Sequence, residues 1–157
     1  MGGSIRNASN PVLSVGPLTL GTAAFGMPYG VANPSAPVSA LEVDKILDLA
    51  WDAGVQCVDT APAYGAAERR LGEWMKKRQR RLAVVSKMPS LESIGRAVDE
   101  KDITRFVDKS REDLGIDCID GYLAHRAGDL QKPGVLQALL SLQKSGRIGA
   151  FGASVYT

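Results

Sequence analysis

Two rhythms of hydrophobic positions alternate along the chain. VQCVDT at 55–60, LAVVSKM at 82–88, CIDGYLAH at 118–125 and IGAFGASVY at 148–156 are short apolar runs rich in β-branched residues, too brief for helices, and they read as strands. Between them lie longer segments whose apolar residues return every three or four positions, the spacing of one helix face. In SALEVDKILDLAWDAG, residues 39–54, the side chains of Leu41, Val43, Ile46, Leu47, Leu49 and Ala50 fall mostly on one face. Ser39 with Glu42 suits the start of that helix and Gly54 its end. AAERRLGEWMKK at 66–77, EKDITRFVDKSREDLG at 100–115 and VLQALLSLQKSG at 135–146 repeat the helical pattern. A first strand followed by a glycine loop is expected in PLTLGTAAFG at 17–26, after a Pro/Gly/Ser-rich arm over residues 1–16.

Five strands alternating with four helices predict a parallel α/β sheet with right-handed crossovers. A doubly wound dinucleotide fold would show G-x-G-x-x-G after its first strand, but GTAAFGMPYG carries its glycines at 21, 26 and 30. A (β/α)8 barrel instead gathers its chemistry at the C-terminal ends of successive strands. Asp59 and Tyr64 follow the second strand, Lys87 ends the third and His125 ends the fourth. The expected fold is therefore α/β, of (β/α)8 TIM-barrel type, truncated after about five strands and four helices, with residues 1–157 as a single domain.

Composition narrows the function classes. With 45% hydrophobic and 23% charged residues and a net charge of +2, nothing global favours nucleic acid or an anionic membrane. The local run KKRQRR at 76–81 is expected as a solvated helix terminus, its cations set against the negative end of the helix dipole. No segment approaches the roughly 18 apolar residues of a membrane span, and no signal-peptide pattern precedes the first strand, which predicts a cytoplasmic protein. Cys57 and Cys118 stand alone in apolar stretches and are expected to be reduced core residues. One histidine leaves a metal-dependent hydrolase short of ligands, and a glycoside hydrolase would need a second strand-end carboxylate beside Asp59. Schiff-base chemistry at Lys87 would leave Tyr64 and His125 unexplained.

Gly54, Asp59, Thr60, Ala61, Tyr64, Gly65, Glu68 and Gly72 in GVQCVDTAPAYGAAERRLGE, together with KSGRIGAFGAS at 144–154, resemble the aldo-keto reductase family. The resemblance implies a catalytic tetrad of Asp59, Tyr64, Lys87 and His125, with NADPH or NADH bound without a Rossmann motif and a small-molecule carbonyl compound as substrate. It further implies that Gly21 and Thr22 approach the nicotinamide end, that Asp59 lies near its ribose, and that Ser154 bonds the carboxamide. Val155 departs from the pattern, since many members carry Asn there.

Elementary chemistry agrees with that set. Hydride transfer to a carbonyl leaves an alkoxide that needs a proton, which Tyr64 can supply as general acid. A phenol is a weak acid at neutral pH, so a cation beside it is required, and Lys87 is the candidate. Asp59 would keep that ammonium charged at the end of an apolar strand, while His125 would donate a hydrogen bond to the carbonyl oxygen.

A complete barrel needs roughly 250 residues. The chain is thus expected to be the N-terminal part of a reductase, inactive alone, without the strands that grip the adenosine end of the cofactor. Its unpaired sheet edges would invite self-association. The alternative is a non-catalytic, barrel-derived subunit or pseudo-enzyme that acts through partner binding.

Overall fold

The computed structural model describes residues 16–31 and 35–155, so the arm expected over 1–16 lies outside the described residues except for Gly16. Five strands, β1 (Thr19–Gly21), β2 (Cys57–Asp59), β3 (Ala83–Lys87), β4 (Ile119–Ala124) and β5 (Ile148–Ala153), form one parallel sheet in chain order. Each strand hands over to the next through a helix: α2 (Ala40–Asp52), α3 (Ala67–Arg78), α4 (Glu100–Leu114) and α5 (Val135–Lys144). That is the (β/α) alternation of a barrel, with β1 and β5 as the two edges.

The register aligns the residues that matter. Gly21 stands opposite Asp59, Asp59 opposite Val85, and Lys87 opposite Leu123. Side chains alternate across a strand, so Asp59, Val85 and Lys87 share one face. Val58, Val84, Ser86 and Tyr122 occupy the other, where all four are buried beneath the helices. The core lies on that helical side and includes Leu47, Leu71, Trp74, Ile103, Val107 and Leu139.

Helix boundaries follow local chemistry. The Glu42 amide donates to Ser39 Oγ at 3.2 Å, which caps α2 as expected. At α4 a reciprocal capping box forms, in which Asp99 accepts from the Asp102 amide and Asp102 accepts from the Asp99 amide. Helices α3 and α4 cross closely at Gly72, where an added Cβ would lie 2.5 Å from the Asp113 carbonyl oxygen.

Several expectations need revision. The glycine loop after β1 contains a one-turn helix, α1 (Ala23–Gly26). Its signal is tertiary: Arg70 of α3 donates to the carbonyl oxygens of Phe25 and Val38, and so ties α1 and the approach to α2 against α3. On α2 only Val43 and Leu47 are buried, whereas Leu41 and Leu49 are exposed; Leu136 and Leu140 are likewise exposed on α5. These two helices flank the sheet edges, so their outer flanks meet no neighbouring helix among the described residues.

Four of the five cations at 76–81 are paired with carboxylates, and Lys76 is exposed at the end of α3. Lys77 reaches Asp44 at 2.6 Å, Arg78 reaches Asp48 at 2.5 Å, and Arg81 reaches Asp120 at 2.5 Å. Arg80 stacks over the Trp51 ring, 5.1 Å from its centroid. Carboxylates of α2 and β4 thus offset most of the positive charge of this run. Cys57 is buried and Cys118 half-buried. Among the described residues no helix is long and apolar enough to cross a membrane.

Candidate active site

A short turn carries the phenol. Beyond β2, Pro62–Tyr64 forms a single 3-10 turn with proline at its start, ended by Gly65 at φ 61°, a value that disfavours side chains. α1 backs directly onto this turn. A Cβ at Gly26 would lie 1.7 Å from the Tyr64 carbonyl oxygen, and one at Gly65 would lie 2.4 Å from the Gly26 carbonyl oxygen. Two glycines therefore permit a backbone-to-backbone approach that fixes Tyr64 above the end of β2.

Lys87, the last residue of β3, is 5% exposed. Its Nζ donates to Asp59 Oδ1 at 2.5 Å, to the Thr60 carbonyl oxygen at 3.2 Å and to Tyr64 Oη at 3.4 Å. An ammonium has three protons, and here each has an acceptor. Nζ also lies 5.2 Å from the centroid of the Tyr64 ring. A buried cation is tolerable only when paired and hydrogen-bonded, and Asp59 with the Thr60 carbonyl meets that need. The Thr60 carbonyl is held for this purpose by the Thr60 amide, which donates to the Val85 carbonyl oxygen at 2.8 Å. Sequence reasoning missed this third acceptor, because a backbone carbonyl carries no residue-type signal.

The remaining residues lie along the same end of the sheet. His125 directly follows β4, two positions beyond Leu123, the cross-strand partner of Lys87. It is half-buried and makes no side-chain hydrogen bond among the described residues. Gly21 ends β1 opposite Asp59, and a Cβ there would meet nothing within 4 Å, so open space adjoins the carboxylate. Thr22 is buried, and both its amide and its hydroxyl donate to the Asp59 carbonyl oxygen at 3.0 Å. Its hydroxyl proton thus anchors β1 to β2. Just past β5, the Ser154 amide donates to the Ala124 carbonyl oxygen at 2.9 Å, and Val155 is exposed.

The structure thus brings Asp59, Tyr64 and Lys87 into direct contact and sets His125, Gly21, Thr22 and Ser154 at the same end of their strands. Such a group can hold a phenol beside a buried cation at the mouth of an open face. Among the described residues no cluster of His, Cys, Asp or Glu could hold a metal ion.

Known proteins share this arrangement of chain and fold. The sequence profile of the aldo/keto reductase family matches residues 17–157. The pyridoxal 4-dehydrogenase of Microbacterium luteolum is 27% identical over 186 residues, covering 91% of this chain and 53% of that protein. The D-threo-aldose 1-dehydrogenase of a Pseudomonas species is 30% identical, covering 84% and 50% respectively. Among solved structures, a Pseudomonas aeruginosa protein assigned to the aldo-keto reductases superposes with a TM-score of 0.77 at 35% identity, covering 95% of this chain and 59% of that one. The chain spans about half the length of the curated relatives it matches. A family match across nearly the whole chain, a five-stranded parallel (β/α) sheet and solved relatives of the same fold lead to one conclusion: this chain belongs to the aldo/keto reductase family.

Proposed function

We propose that the protein carrying this chain reduces an aldehyde or ketone to an alcohol using NADPH or NADH, with Tyr64 as the proton donor. One observation carries the reading: a buried Lys87 ammonium in contact with both Asp59 Oδ1 and Tyr64 Oη. As a carbonyl is reduced, negative charge builds on its oxygen. Tyr64 delivers its Oη proton there, and Lys87, 3.4 Å away, stabilises the phenolate that remains. Asp59 holds Lys87 in place and compensates its burial, while His125 orients the substrate oxygen by hydrogen bonding.

The residues present fit the nicotinamide end of a cofactor. Gly21 leaves open space beside Asp59. Asp59 Oδ1 is occupied by Lys87 and its side chain remains a third exposed, which leaves an oxygen for a ribose hydroxyl. Thr22 acts from behind, by fixing β1 to β2, and Ser154, just past β5, is assigned the carboxamide. When bound, the nicotinamide supplies the hydride. The name of a Schizosaccharomyces pombe relative, aldo-keto reductase yakc [NADP(+)], 29% identical, supports a nicotinamide cofactor.

The same reading has the protein working in the cytoplasm, consistent with a mixed-sign, near-neutral composition. It also has residues 1–157 on their own self-associating through the unpaired edges of β1 and β5, which sedimentation velocity would reveal as a concentration-dependent shift. In the protein carrying this chain, Tyr64→Phe should lower carbonyl reduction by ~10²–10⁴-fold with cofactor affinity kept within a few fold. More than about a tenth of the turnover surviving in the Phe variant would remove Tyr64 as the acid.

A further inference from the structure

On the helical side of the sheet, directly behind the site, lies a carboxylic acid that the proposed chemistry does not use. Glu68 sits in the first turn of α3 and is 2% exposed. It has no cation partner among the described residues, and its Oε1 accepts a 2.6 Å hydrogen bond from Ser86 Oγ. Ser86 is itself fully buried on the outer face of β3, immediately before Lys87. We infer that Glu68 is a positioning residue for the Lys87–Tyr64 pair, its buried bond to Ser86 fixing how far the Tyr64 turn stands from the end of β3. The inference rests on the reading of Lys87 and Tyr64 as site residues.

The geometry supports it from both ends. Glu68 follows Tyr64 by four residues, across a turn that α1 holds by close backbone contact. Ser86 precedes Lys87 by one, and neighbouring residues of a strand point to opposite faces, so a pull on Ser86 from outside is transmitted to the Lys87 backbone inside. The Lys87–Tyr64 contact, at 3.4 Å, is the longest of the three that Lys87 makes and so the one most readily lost to a small shift. The buried hydrogen bond joins β3, which carries Lys87, to the first turn of α3, which begins three residues after Tyr64.

A carboxyl buried without a cation is a costly choice for packing alone. Burial pushes the Glu68 carboxyl up from its usual range, and the nearby hydroxyls of Ser86 and Ser110 offset this only in part. Asp113 of α4 adds to the upward shift and Lys109 of the same helix opposes it. Ser110 Oγ and Tyr122 Oη are buried at the same level with no partner in hydrogen-bonding geometry. Tyr122 is the cross-strand neighbour of Ser86, and its phenol is pushed well up by burial first and by Glu68 second. Ser86 Oγ is thus the one group that donates to the Glu68 carboxyl in hydrogen-bonding geometry among the described residues.

The test uses the lysine side-chain ammonium resonances of the 15N-labelled protein, where a buried, triply bonded Lys87 should give a resolved signal assigned by its loss in Lys87→Met. Ser86→Ala and Glu68→Ala should move or broaden that signal. In the protein carrying this chain they should also lower the kcat of carbonyl reduction about tenfold while KM for the cofactor changes little. Glu68→Gln keeps an acceptor for the Ser86 hydroxyl and should rescue both readouts. An unmoved Lys87 signal in Ser86→Ala would overturn the inference, as would a Gln variant that behaves like the Ala variant. Should Glu68→Ala fail to fold, Ser86→Ala, which removes one oxygen atom, decides the matter. The resonance needs no substrate, so a protein that lacks carbonyl reduction but shows the Ser86-dependent signal would refute the proposed function and leave the brace standing.

Discussion

Substituting alanine for Gly26 attacks the support of the candidate site without replacing any residue in it. The new Cβ would lie 1.7 Å from the Tyr64 carbonyl oxygen and 2.6 Å from the amide nitrogens of both Ala66 and Ala67. All three are backbone atoms, so no side-chain rotation relieves the clash. Real Cβ contacts essentially never fall below 3.0 Å, so α1 and the Tyr64 turn must separate by more than 1 Å. Overpacking of this kind costs ~1–3 kcal/mol, occasionally more, and three simultaneous backbone clashes point to the upper end. A movement of that size also breaks the 3.4 Å contact between Lys87 Nζ and Tyr64 Oη, and a misplacement of ~1 Å in a catalytic group can cost ~10²-fold in rate. Urea denaturation followed by tryptophan fluorescence measures the stability loss. Gly128→Ala serves as control, since a Cβ there meets nothing within 4 Å and the expected change is within ~0.5 kcal/mol. A Gly26→Ala midpoint and slope indistinguishable from the control would refute the close approach of α1 to the Tyr64 turn.

Gly72→Ala should wedge α3 from α4, because its Cβ would stand 2.5 Å from the Asp113 carbonyl oxygen; a loss of ~1–3 kcal/mol in the same urea assay is expected, with the Lys87 side-chain resonance little changed. Arg96 grips the Asp102 carboxylate through two bonds of 2.6 and 2.7 Å and holds it well below the usual carboxylate range. A folded value below the unfolded one gives stability that is complete above the unfolded value near ~3.9 and fades as pH falls toward the folded one; thermal melts from pH ~5 to ~2 should therefore show a shallower acid limb in Asp102→Asn. Residues 1–157 alone hold only groups assigned to the nicotinamide end, so an NADPH fluorescence titration should find no micromolar binding, and such binding by a verified monomer would contradict the assignment.

Much of the fold was legible because its signals are local. Ser39 and Glu42 mark the start of α2, and the apolar rhythm of 100–115 marks α4, since caps and periodicity act within one turn of helix. The Asp, Tyr and Lys of the candidate site were legible because each is an unusual residue for the end of an apolar strand. What escaped was tertiary. α1 is one turn long and depends on Arg70, forty-five residues from Phe25 in the chain. Leu41 and Leu49 have the spacing of a buried face, but periodicity cannot say whether a neighbour exists to cover them. The bond from Ser86 to Glu68 joins residues eighteen apart that have no pattern in common, and the motif containing Glu68 gave its position without its purpose.

The strictly sequential sheet order has a consequence for biosynthesis. Every strand pairs with the one made just before it, so no later segment must insert between two that are already joined. A nascent chain leaving the ribosome can therefore extend the sheet one unit at a time, and Asp59, Tyr64 and Lys87 can meet as soon as β3 has emerged. The cost falls on the newest strand. Until its successor arrives it presents a bare edge, with α5 offering Leu136 and Leu140 to solvent beside it, and a pause in translation at that point would leave the species most exposed to aggregation and to capture by chaperones.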